Sequence, residues 1–340
     1  MKTMLITGGC GFIGINAADH FINEGYKIIL FDNFSRAKIE HNVNWLKKKH
    51  GKKFEVIKGD VVYDVKKLNE ISERADVILH LAAQVAVTTS ITDPLTDINT
   101  NVMGTYNVLE AARRSEREPI VIYSSTNKVY GGLEQFKVVE GEKKYEFEDI
   151  DGVTENVNLD FHSPYGCSKG AADQYVRDYA RVYGLKTVVF RQSCVYGENQ
   201  YGVEDQGWIA WFIIASLLGK TITVYGNGKQ VRDILFVDDL VMAYDKAIKN
   251  INKVKGEIFN IGGGKENALS LLEFIEILNK LLGKKIEYAF SDWRQGDQPI
   301  FISDNTKIIK SLNWNIKIGY NEGIKRIFNW AKNNFALIKN

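Results

Sequence analysis

The chain has 340 residues, of which 45% are hydrophobic and 25% charged, with 29 glycines and 4 prolines. This composition is typical of a folded globular protein and excludes a disordered, collagen-like or low-complexity chain. The 44 basic and 42 acidic residues nearly balance, so we expect neither a nucleic-acid nor a membrane partner. Three scattered cysteines, Cys10, Cys167 and Cys194, exclude a disulfide framework and predict no metal cluster.

The first residues run directly into a glycine-rich turn and lack the three-part pattern of a secretory signal. The longest apolar stretch, 208–218, lies between Gly207 and Gly219. It is too short to cross the roughly 30 Å of a bilayer's hydrocarbon core. We therefore expect a reduced, soluble, cytoplasmic protein, and the length suggests about two domains.

Short apolar segments, often β-branched, alternate with helical patterns through the first 193 residues. The strands are predicted at 4–7, 27–32, 54–60, 77–83, 120–125 and 187–192. The helices are predicted at 12–23, 41–49, 65–73, 94–115 and 164–183. Such repeated alternation predicts an α/β fold with a doubly wound parallel sheet and right-handed crossovers.

The pattern loosens after residue 193, where a smaller α/β lobe is predicted. Its helices are expected at 208–218, 238–249, 270–282 and 321–332. Its strands are expected at 222–225, 231–236, 258–261 and 286–290. We divide the chain into a dinucleotide-binding domain over 1–193 and a substrate-binding lobe over 194–340, and a return of the chain to the first domain stays open.

A glycine turn joins the first strand to the first helix, with Gly8, Gly11 and Gly14 in the spacing G-x-x-G-x-x-G. Such a turn allows close approach of a pyrophosphate at a helix N-terminus. Asp32 ends the second strand, where a carboxylate can accept from both ribose hydroxyls, so NAD is favoured over NADP. Arg36 could meet a 2′-phosphate or be a solvated loop residue. Asp60, after the third strand, could contact adenine or cap the next helix.

Tyr165 and Lys169 stand four residues apart on a helix and therefore share a face. A free tyrosine, with a pKa near ~10, is a poor base at neutral pH, but a nearby ammonium favours the phenolate. Thr126 ends the fifth strand at the sheet edge where ligands of doubly wound folds bind. Its hydroxyl can hold a sugar oxygen against Tyr165. A hydride then leaves the sugar carbon that bears this oxygen and goes to NAD.

The glycine turn, the strand-end threonine and Tyr-x-x-x-Lys, in this order, resemble the extended short-chain dehydrogenase/reductase family of NAD-dependent nucleotide-sugar epimerases and dehydratases. Further matches are Asn101-Val102-Met103-Gly104-Thr105, Arg232-Asp233 and Arg294-Gln295-Gly296-Asp297. The resemblance covers essentially the whole chain and implies a Rossmann sheet with tightly bound NAD that is not consumed. It also implies a homo-oligomer, a dimer or tetramer, paired through helices 94–115 and 164–183.

The resemblance assigns the catalytic triad to Thr126, Tyr165 and Lys169, and diphosphate binding to Arg232 and Arg294. The other substrate-binding positions would be Gln84, Asn127, Lys128 and His162, together with Thr126 and Tyr165. The implied cofactor-binding positions are Gly8, Gly11, Phe12, Ile13, Gly14, Asp32, Asn33, Ser35, Arg36, Asp60, Val61, Leu81, Ala82, Ala83, Gln84, Asn101, Ser124, Tyr165, Lys169 and Gln192. No metal is expected.

The family's dehydratases carry Asp-Glu directly after the threonine, whereas this chain has Asn127 and Lys128. An epimerase is therefore expected. Longer runs, including residues 124–131 and 160–175, resemble the family members that invert C2 of a CDP-sugar through a transient 2-keto sugar. A UDP-sugar 4-epimerase and a non-catalytic NAD-sensing module stay open as alternatives. Cys194 stands where many relatives have an asparagine that contacts substrate, and we expect it to be a packing residue.

Overall fold

Strands and helices alternate through the first part of the computed structural model, which describes residues 1–339. The strands there are β1 (Thr3–Thr7), β2 (Lys27–Asp32), β3 (Phe54–Lys58), β4 (Val77–His80), β5 (Ile120–Thr126), β6 (Val138–Glu140), β7 (Tyr145–Phe147) and β8 (Thr187–Gln192). The helices are α1 (Phe12–Asn23), α2 (Ile39–His50), α3 (Val65–Ser72), α4 (Val87–Thr92), α5 (Pro94–Ile98), α6 (Gly104–Arg114) and α7 (Pro164–Tyr183).

The rest of the chain adds shorter elements. Its strands are β9 (Cys194–Tyr196), β10 (Ile222–Tyr225), β11 (Val231–Phe236), β12 (Glu257–Ile261), β13 (Ala268–Ser270), β14 (Tyr288–Ser291) and β15 (Ile300–Phe301). Its helices are α8 (Trp208–Leu217), α9 (Val237–Lys249), α10 (Ile251–Val254), α11 (Leu271–Leu282), α12 (Thr306–Leu312), α13 (Tyr320–Asn333) and α14 (Phe335–Lys339).

A seven-stranded sheet in the order β12-β8-β5-β4-β1-β2-β3, parallel throughout, forms the centre of the molecule. Consecutive residues of its strands point to opposite cores, as pleating requires. Leu5 and Ile29 pack on one face, with side chains of α3, α6 and α7. Ile6 and Leu30 pack on the other face, with side chains of α1 and α9. The predicted doubly wound α/β fold is confirmed.

The central sheet is completed from the C-terminal part of the chain. Strand β12 pairs with β8 in register Ile258 to Val189, so the chain returns to the first domain after the start of the smaller lobe. That lobe contains the sheet β13-β11-β15, with β9 also paired to β11, and the pair β10-β14. The boundary at residue 193 stays a prediction. No helix within residues 1–339 is long and apolar enough to cross a membrane.

The helix predicted over 94–115 contains a π-helical segment, Asn99–Met103, between α5 and α6. Asn101 projects from this segment and forms hydrogen bonds to both the loop after β4 and helix α7. Its amide accepts from Gln84 N at 2.9 Å and donates to Ser168 Oγ at 2.9 Å. A π-helical turn re-aims one side chain within a helix and often marks a functional site. The uninterrupted α-helix expected here was wrong, because periodicity alone does not reveal such a turn.

Candidate active site

The glycine turn is packed too closely for side chains. A Cβ on Gly8, whose φ is +65°, would lie 2.8 Å from Ala82 N, and one on Gly14 would lie 2.7 Å from Gly8 O. Helix α1 begins directly after the turn with Phe12 and Ile13, and no side chain caps its N-terminus. Its first backbone N–H groups are therefore available to an anion. This narrow, glycine-lined cradle fits the pyrophosphate of NAD.

Asp32 is a buried carboxylate at the end of β2. Its oxygens accept from Cys10 N at 3.0 Å and Phe34 N at 2.9 Å. Burial raises the pKa of Asp32, whereas these two bonds and the nearby Arg36 oppose the rise. The geometry holds an acceptor at a fixed place beside the glycine turn, as a ribose diol would require.

The residues after β2 and β3 contact one another. Asn33 Nδ2 donates to Asp60 Oδ2 at 2.8 Å, and Ser35 N donates to Asn33 Oδ1 at 3.0 Å. Asp60 also accepts from Val62 N at 2.8 Å, which is the contact of a turn-capping residue. Val61 is buried against the start of α6, where a Cβ on Gly104 would lie 2.7 Å from its Cγ2.

Arg36 extends across the cleft, where its guanidinium donates to the side chain of Gln206. Burial lowers the pKa of Arg36, whereas the nearby Asp32 and Tyr165 oppose the decrease. The structure therefore places Arg36 between the cofactor-side loop and the segment before α8.

The loop after β4 forms another edge of the cleft. Leu81 N donates to Thr7 O at 3.0 Å, and Ala82 N lies 3.4 Å from Thr7 Oγ1. Ala83 and Gln84 follow, half-buried. The Gln84 side chain is bonded within its own loop, because its Nε2 donates to Ala86 O at 2.8 Å. Gln84 thus stabilises the loop in this structure.

Helix α7 begins at Pro164, the bound predicted from the sequence, and Ser163 Oγ caps it by accepting from Gly166 N at 3.2 Å. The first turn carries Tyr165, which is 8% exposed. Burial raises the pKa of Tyr165 to about 12, although a hydrogen bond with the side chain of Thr126 and the charge of Arg36 lower it. Thr126 and Tyr165 therefore meet, as the sequence analysis expected of residues that share one substrate oxygen.

Lys169 is buried one helical turn further along α7. Its Nζ donates to Ser124 O at 2.5 Å and lies 4.2 Å from the ring centroid of Tyr123. Burial lowers the pKa of Lys169 to about 7. The sequence analysis expected Lys169 to lower the pKa of Tyr165, but its hydrogen bond runs to the end of β5 and the neighbouring groups that lower the tyrosine pKa are Thr126 and Arg36.

Ser124 and Gln192 lie side by side at the ends of β5 and β8. Gln192 Nε2 donates to Ser124 Oγ at 2.8 Å and also contacts the hydroxyl of Tyr244. Ser124 thus binds Gln192 through its side chain and Lys169 through its carbonyl.

A buried ion pair fixes α7 against the sheet. Arg191 Nε and Nη2 each lie 2.9 Å from a different oxygen of Asp173, and Ser125 Oγ donates to Asp173 at 2.8 Å. Arg191 Nη1 also bonds to the hydroxyl of Tyr130 at 2.9 Å. The sequence analysis missed this network. Asp173 lies four residues after Lys169, but only the fold brings it to Arg191.

One cavity of about 290 Å³ brings the reaction and diphosphate residues together. The predicted residues that line it are Thr126, Asn127, Lys128, Tyr165, Arg232 and Arg294. The cavity also contains residues that the sequence analysis did not single out, among them Val85, Val87, Trp208, Tyr225 and Gln230. A side-chain pocket formed from both lobes is therefore present at the carboxyl edge of the sheet.

Three cations lie in this cavity. Arg232 Nη2 is 2.5 Å and Lys128 Nζ 3.4 Å from the same Asp297 oxygen, and these cations lower the pKa of Asp297. Arg294 pairs with Asp205 at 3.2 Å and lies 4.0 Å over the ring of Tyr225. Guanidinium groups held in this way match the charge and geometry of a diphosphate.

His162 lies outside the cavity lining, half-exposed, with Asp160 at 3.2 Å and Glu134 at 3.8 Å.

Cys194 does line the cavity, and burial raises the pKa of its thiol. Cys194 therefore borders the space available to a ligand, and its expected packing role stays a prediction.

The chain belongs to the NAD-dependent epimerase/dehydratase family, whose model matches residues 4–262. This confirms the family predicted from the sequence, NAD as cofactor and an enzyme of the isomerase class. The chain is 43% identical to CDP-paratose 2-epimerase of Salmonella typhi, over 96% of this chain and 98% of that protein. It is 34% identical to a putative UDP-glucose 4-epimerase of Methanocaldococcus jannaschii, over 97% and 99%.

Solved structures show the same fold. UDP-glucose 4-epimerase of Thermotoga maritima with UDP-glucose superposes with a TM-score of 0.84 at 30% identity, over 98% of this chain and 99% of that one. UDP-glucuronic acid 4-epimerase of Bacillus cereus, in complex with UDP-glucuronic acid and NAD, gives a TM-score of 0.84 at 26% identity, over 97% and 99%.

Proposed function

We propose that the protein inverts C2 of a CDP-sugar, interconverting CDP-paratose and CDP-tyvelose, with CDP-glucose as a further candidate substrate. The observation that carries the reaction type is that Thr126, Tyr165, Arg232 and Arg294 line a single cavity. The choice of sugar rests on the 43% identity to the Salmonella typhi enzyme. Asn127 and Lys128 offer no carboxylate pair for water elimination, which favours an epimerase over a dehydratase.

The glycine turn, Asp32 and Lys169 would hold the cofactor, with its pyrophosphate at the start of α1 and a ribose at Asp32. When bound, NAD accepts a hydride and returns it, and its positively charged nicotinamide favours the phenolate of Tyr165. Lys169, anchored at the carbonyl of Ser124, would contact the nicotinamide ribose. The network around Asp173 keeps both residues in register with Thr126.

Tyr165 takes the proton of the C2 hydroxyl while Thr126 holds that oxygen by a hydrogen bond. Loss of a hydride from the same carbon to bound NAD would leave a ketone at C2. The keto sugar would then present its other face, and Tyr165 would give the proton back to the oxygen when the hydride is returned to C2. Arg232 and Arg294 keep the nucleotide diphosphate in place during this turn, so the intermediate is not released.

Product analysis tests the proposal. The purified protein is incubated with CDP-paratose, CDP-glucose and UDP-galactose without added NAD, and the products are identified by proton NMR. We expect inversion at C2 of a CDP-sugar. Inversion at C4 of UDP-galactose alone would establish the alternative 4-epimerase, which the 34% identity to the Methanocaldococcus jannaschii protein favours. No turnover of any of these sugars, with NAD bound, would favour the NAD-sensing module.

We further propose that two copies of the chain pair through α5, α6 and α7. Large apolar side chains are exposed on these helices, including Leu95 at 68% and Tyr175 at 50%. Light scattering on the purified protein should give at least twice the mass of one chain. Tyr175→Glu should shift that mass toward the monomer, whereas Tyr63→Glu, on a loop elsewhere, should not.

A further inference from the structure

A buried carboxylate that the mechanism does not use lies behind the reaction residues. Asp97, on α5, is completely buried. Its Oδ1 accepts from Asn101 Nδ2 at 3.2 Å, and the same amide nitrogen donates to Ser168 Oγ at 2.9 Å. Because Ser168 directly precedes Lys169, one bridging amide links Asp97 to the turn of α7 that carries the catalytic lysine.

The ammonium of Lys169 has neutral groups as its direct contacts. Its Nζ donates to Ser124 O and lies 4.2 Å from the ring centroid of Tyr123. Neither a carbonyl nor a ring carries a full negative charge, and a buried ammonium without a counter-charge readily loses its proton. Two carboxylates, Asp173 and Asp97, oppose the lowering of the Lys169 pKa by burial.

The charge of Asp173 is already compensated by a cation. Arg191 Nε and Nη2 each donate at 2.9 Å to a different oxygen of Asp173, so this bidentate pair is neutral as a whole and its field at neighbouring sites is weak. Asp97 Oδ2, in contrast, is buried and has no hydrogen-bond partner within residues 1–339. Its charge is therefore free to act on Lys169.

The surroundings of Asp97 favour the ionised carboxylate over the neutral acid. A neutral acid would have to donate its proton, but Oδ1 faces the donating amide of Asn101 and Oδ2 has no acceptor within the described residues. Burial raises the pKa of Asp97, whereas Ser168 and Lys169 oppose the rise. A buried carboxylate and a buried ammonium compensate each other's charge, which neither could do alone.

The other titratable groups around Lys169 are neutral and cannot replace this anion. Burial lowers the pKa of His80, on β4, to about 3. Burial also raises the pKa of Tyr123, on β5, and raises that of Tyr165 to about 12.

We propose that Asp97 is ionised and is the counter-charge that keeps Lys169 in its ammonium form. Since Asp97 is completely buried, it acts through Lys169 and is a positioning residue. Its effect on turnover rests on the proposed function, in which this ammonium would contact the nicotinamide ribose. Its effect on the lysine itself does not depend on the substrate.

Carbon-13 NMR of the Lys169 side chain in the holoenzyme tests the proposal directly. The signal is identified by its loss in Lys169→Met. Asp97→Asn removes the charge at nearly constant shape, and Lys169 should then lose its proton about one pH unit lower than in the wild type. Asp178→Asn makes the same charge change on the exposed surface of α7 and should leave the titration unchanged.

The pH dependence of kcat gives a second measurement, with CDP-paratose as substrate. In Asp97→Asn the alkaline limb should move to lower pH, because deprotonation of Lys169 ends turnover earlier, and KM should stay close to the wild-type value. A merely structural role of Asp97 would lower kcat at every pH and leave the limb in place.

An unchanged Lys169 titration in folded Asp97→Asn would overturn the inference. So would a carboxyl carbon-13 shift showing that Asp97 is protonated at pH 7 in the wild type, and that measurement decides even if the variant does not fold. Absence of C2 inversion with every CDP-sugar would instead overturn the proposed function, while the Lys169 titration would still decide whether Asp97 is its counter-charge.

Discussion

The ammonium of Lys169 donates to the carbonyl oxygen of Ser124 at 2.5 Å. This contact joins the first turns of α7 to the end of β5, the two elements that carry Tyr165 and Thr126. The amine is almost completely buried and lies over the ring of Tyr123. Burial lowers the pKa of Lys169 to about 7, whereas Asp173 and Asp97 oppose the decrease.

Replacing Lys169 should stabilise the fold more at low pH than at high pH. Its folded pKa of about 7 lies below the unfolded value near ~10.4, so the charged form is disfavoured by folding. This cost is fully present below pH 7 and decreases as the pH rises toward 10. In Lys169→Met, the gain in free energy of unfolding over wild type should therefore shrink by up to about 1.4 kcal/mol per pH unit above 7.

Urea unfolding at pH 6 and pH 9, on protein from which bound nucleotide has been removed, measures this difference. Lys48→Met, on an exposed position of α2, serves as the control and should show a difference that does not change with pH. A gain for Lys169→Met that grows with pH would show that the buried amine is not disfavoured as a cation.

Removing the hydroxyl of Tyr165 should abolish turnover without releasing the cofactor. The phenol is the proposed acid and base, and loss of such a group typically costs 10²- to 10⁴-fold in rate, as an order of magnitude. Tyr165→Phe should therefore lose about that factor in kcat and retain NAD, measured by chromatography of the nucleotide released on denaturation. Tyr63→Phe, at a side chain that is 80% exposed, should keep the wild-type rate. A wild-type rate in Tyr165→Phe would refute the mechanism.

Truncating Asp32 should weaken NAD binding. The substitution removes the proposed ribose acceptor and leaves the N–H groups of Cys10 and Phe34 without their partner. A hydrogen bond to a charged group contributes about 1.5–3 kcal/mol, so Asp32→Ala should bind NAD roughly 10- to 100-fold more weakly. Titration calorimetry measures this, with Asp178→Ala on the exposed surface of α7 as the control. Undiminished NAD retention would remove Asp32 from the site.

Breaking the Asp173–Arg191 pair should cost much more stability than an ordinary surface substitution. Both side chains are buried and the pair is bidentate, so Arg191→Met leaves an uncompensated charge. Such a loss typically costs about 3–5 kcal/mol. The double variant Asp173→Leu with Arg191→Met should cost less than the two single variants added together, as measured by urea unfolding. A single-variant cost below about 1 kcal/mol would place the pair among weak surface contacts.

Much of the fold could be predicted because the signals are local. The bounds expected for β2, β8, α1 and α7 agree with Lys27–Asp32, Thr187–Gln192, Phe12–Asn23 and Pro164–Tyr183. Buried parallel strands are continuous apolar runs, and α7 has a capping serine, Ser163, before its first residue and a glycine, Gly184, after its last. The hairpin of β6 and β7 and the short β9 were missed, because two or three residues carry no periodicity and their pairing depends on distant strands.

The candidate site could likewise be predicted where its residues belong to local motifs, and could not where its contacts join distant parts of the chain. Thr126, Tyr165 and Lys169 belong to short motifs, and their proximity follows from the order of strand and helix. The pairing of Lys128 and Arg232 with Asp297 joins positions far apart in the chain, so no spacing predicts it. The unexpected environment of Lys169 has the same origin, because burial and the Ser124 carbonyl are properties of the folded sheet.

The most direct test of the proposed mechanism is proton NMR of the reaction with CDP-tyvelose in heavy water, without added NAD. Transfer of a hydride to the bound cofactor and back keeps the original hydrogen on C2. We therefore predict inversion at C2 with no deuterium at that carbon. Deuterium at C2 of the product would show exchange through enolisation and would contradict the account.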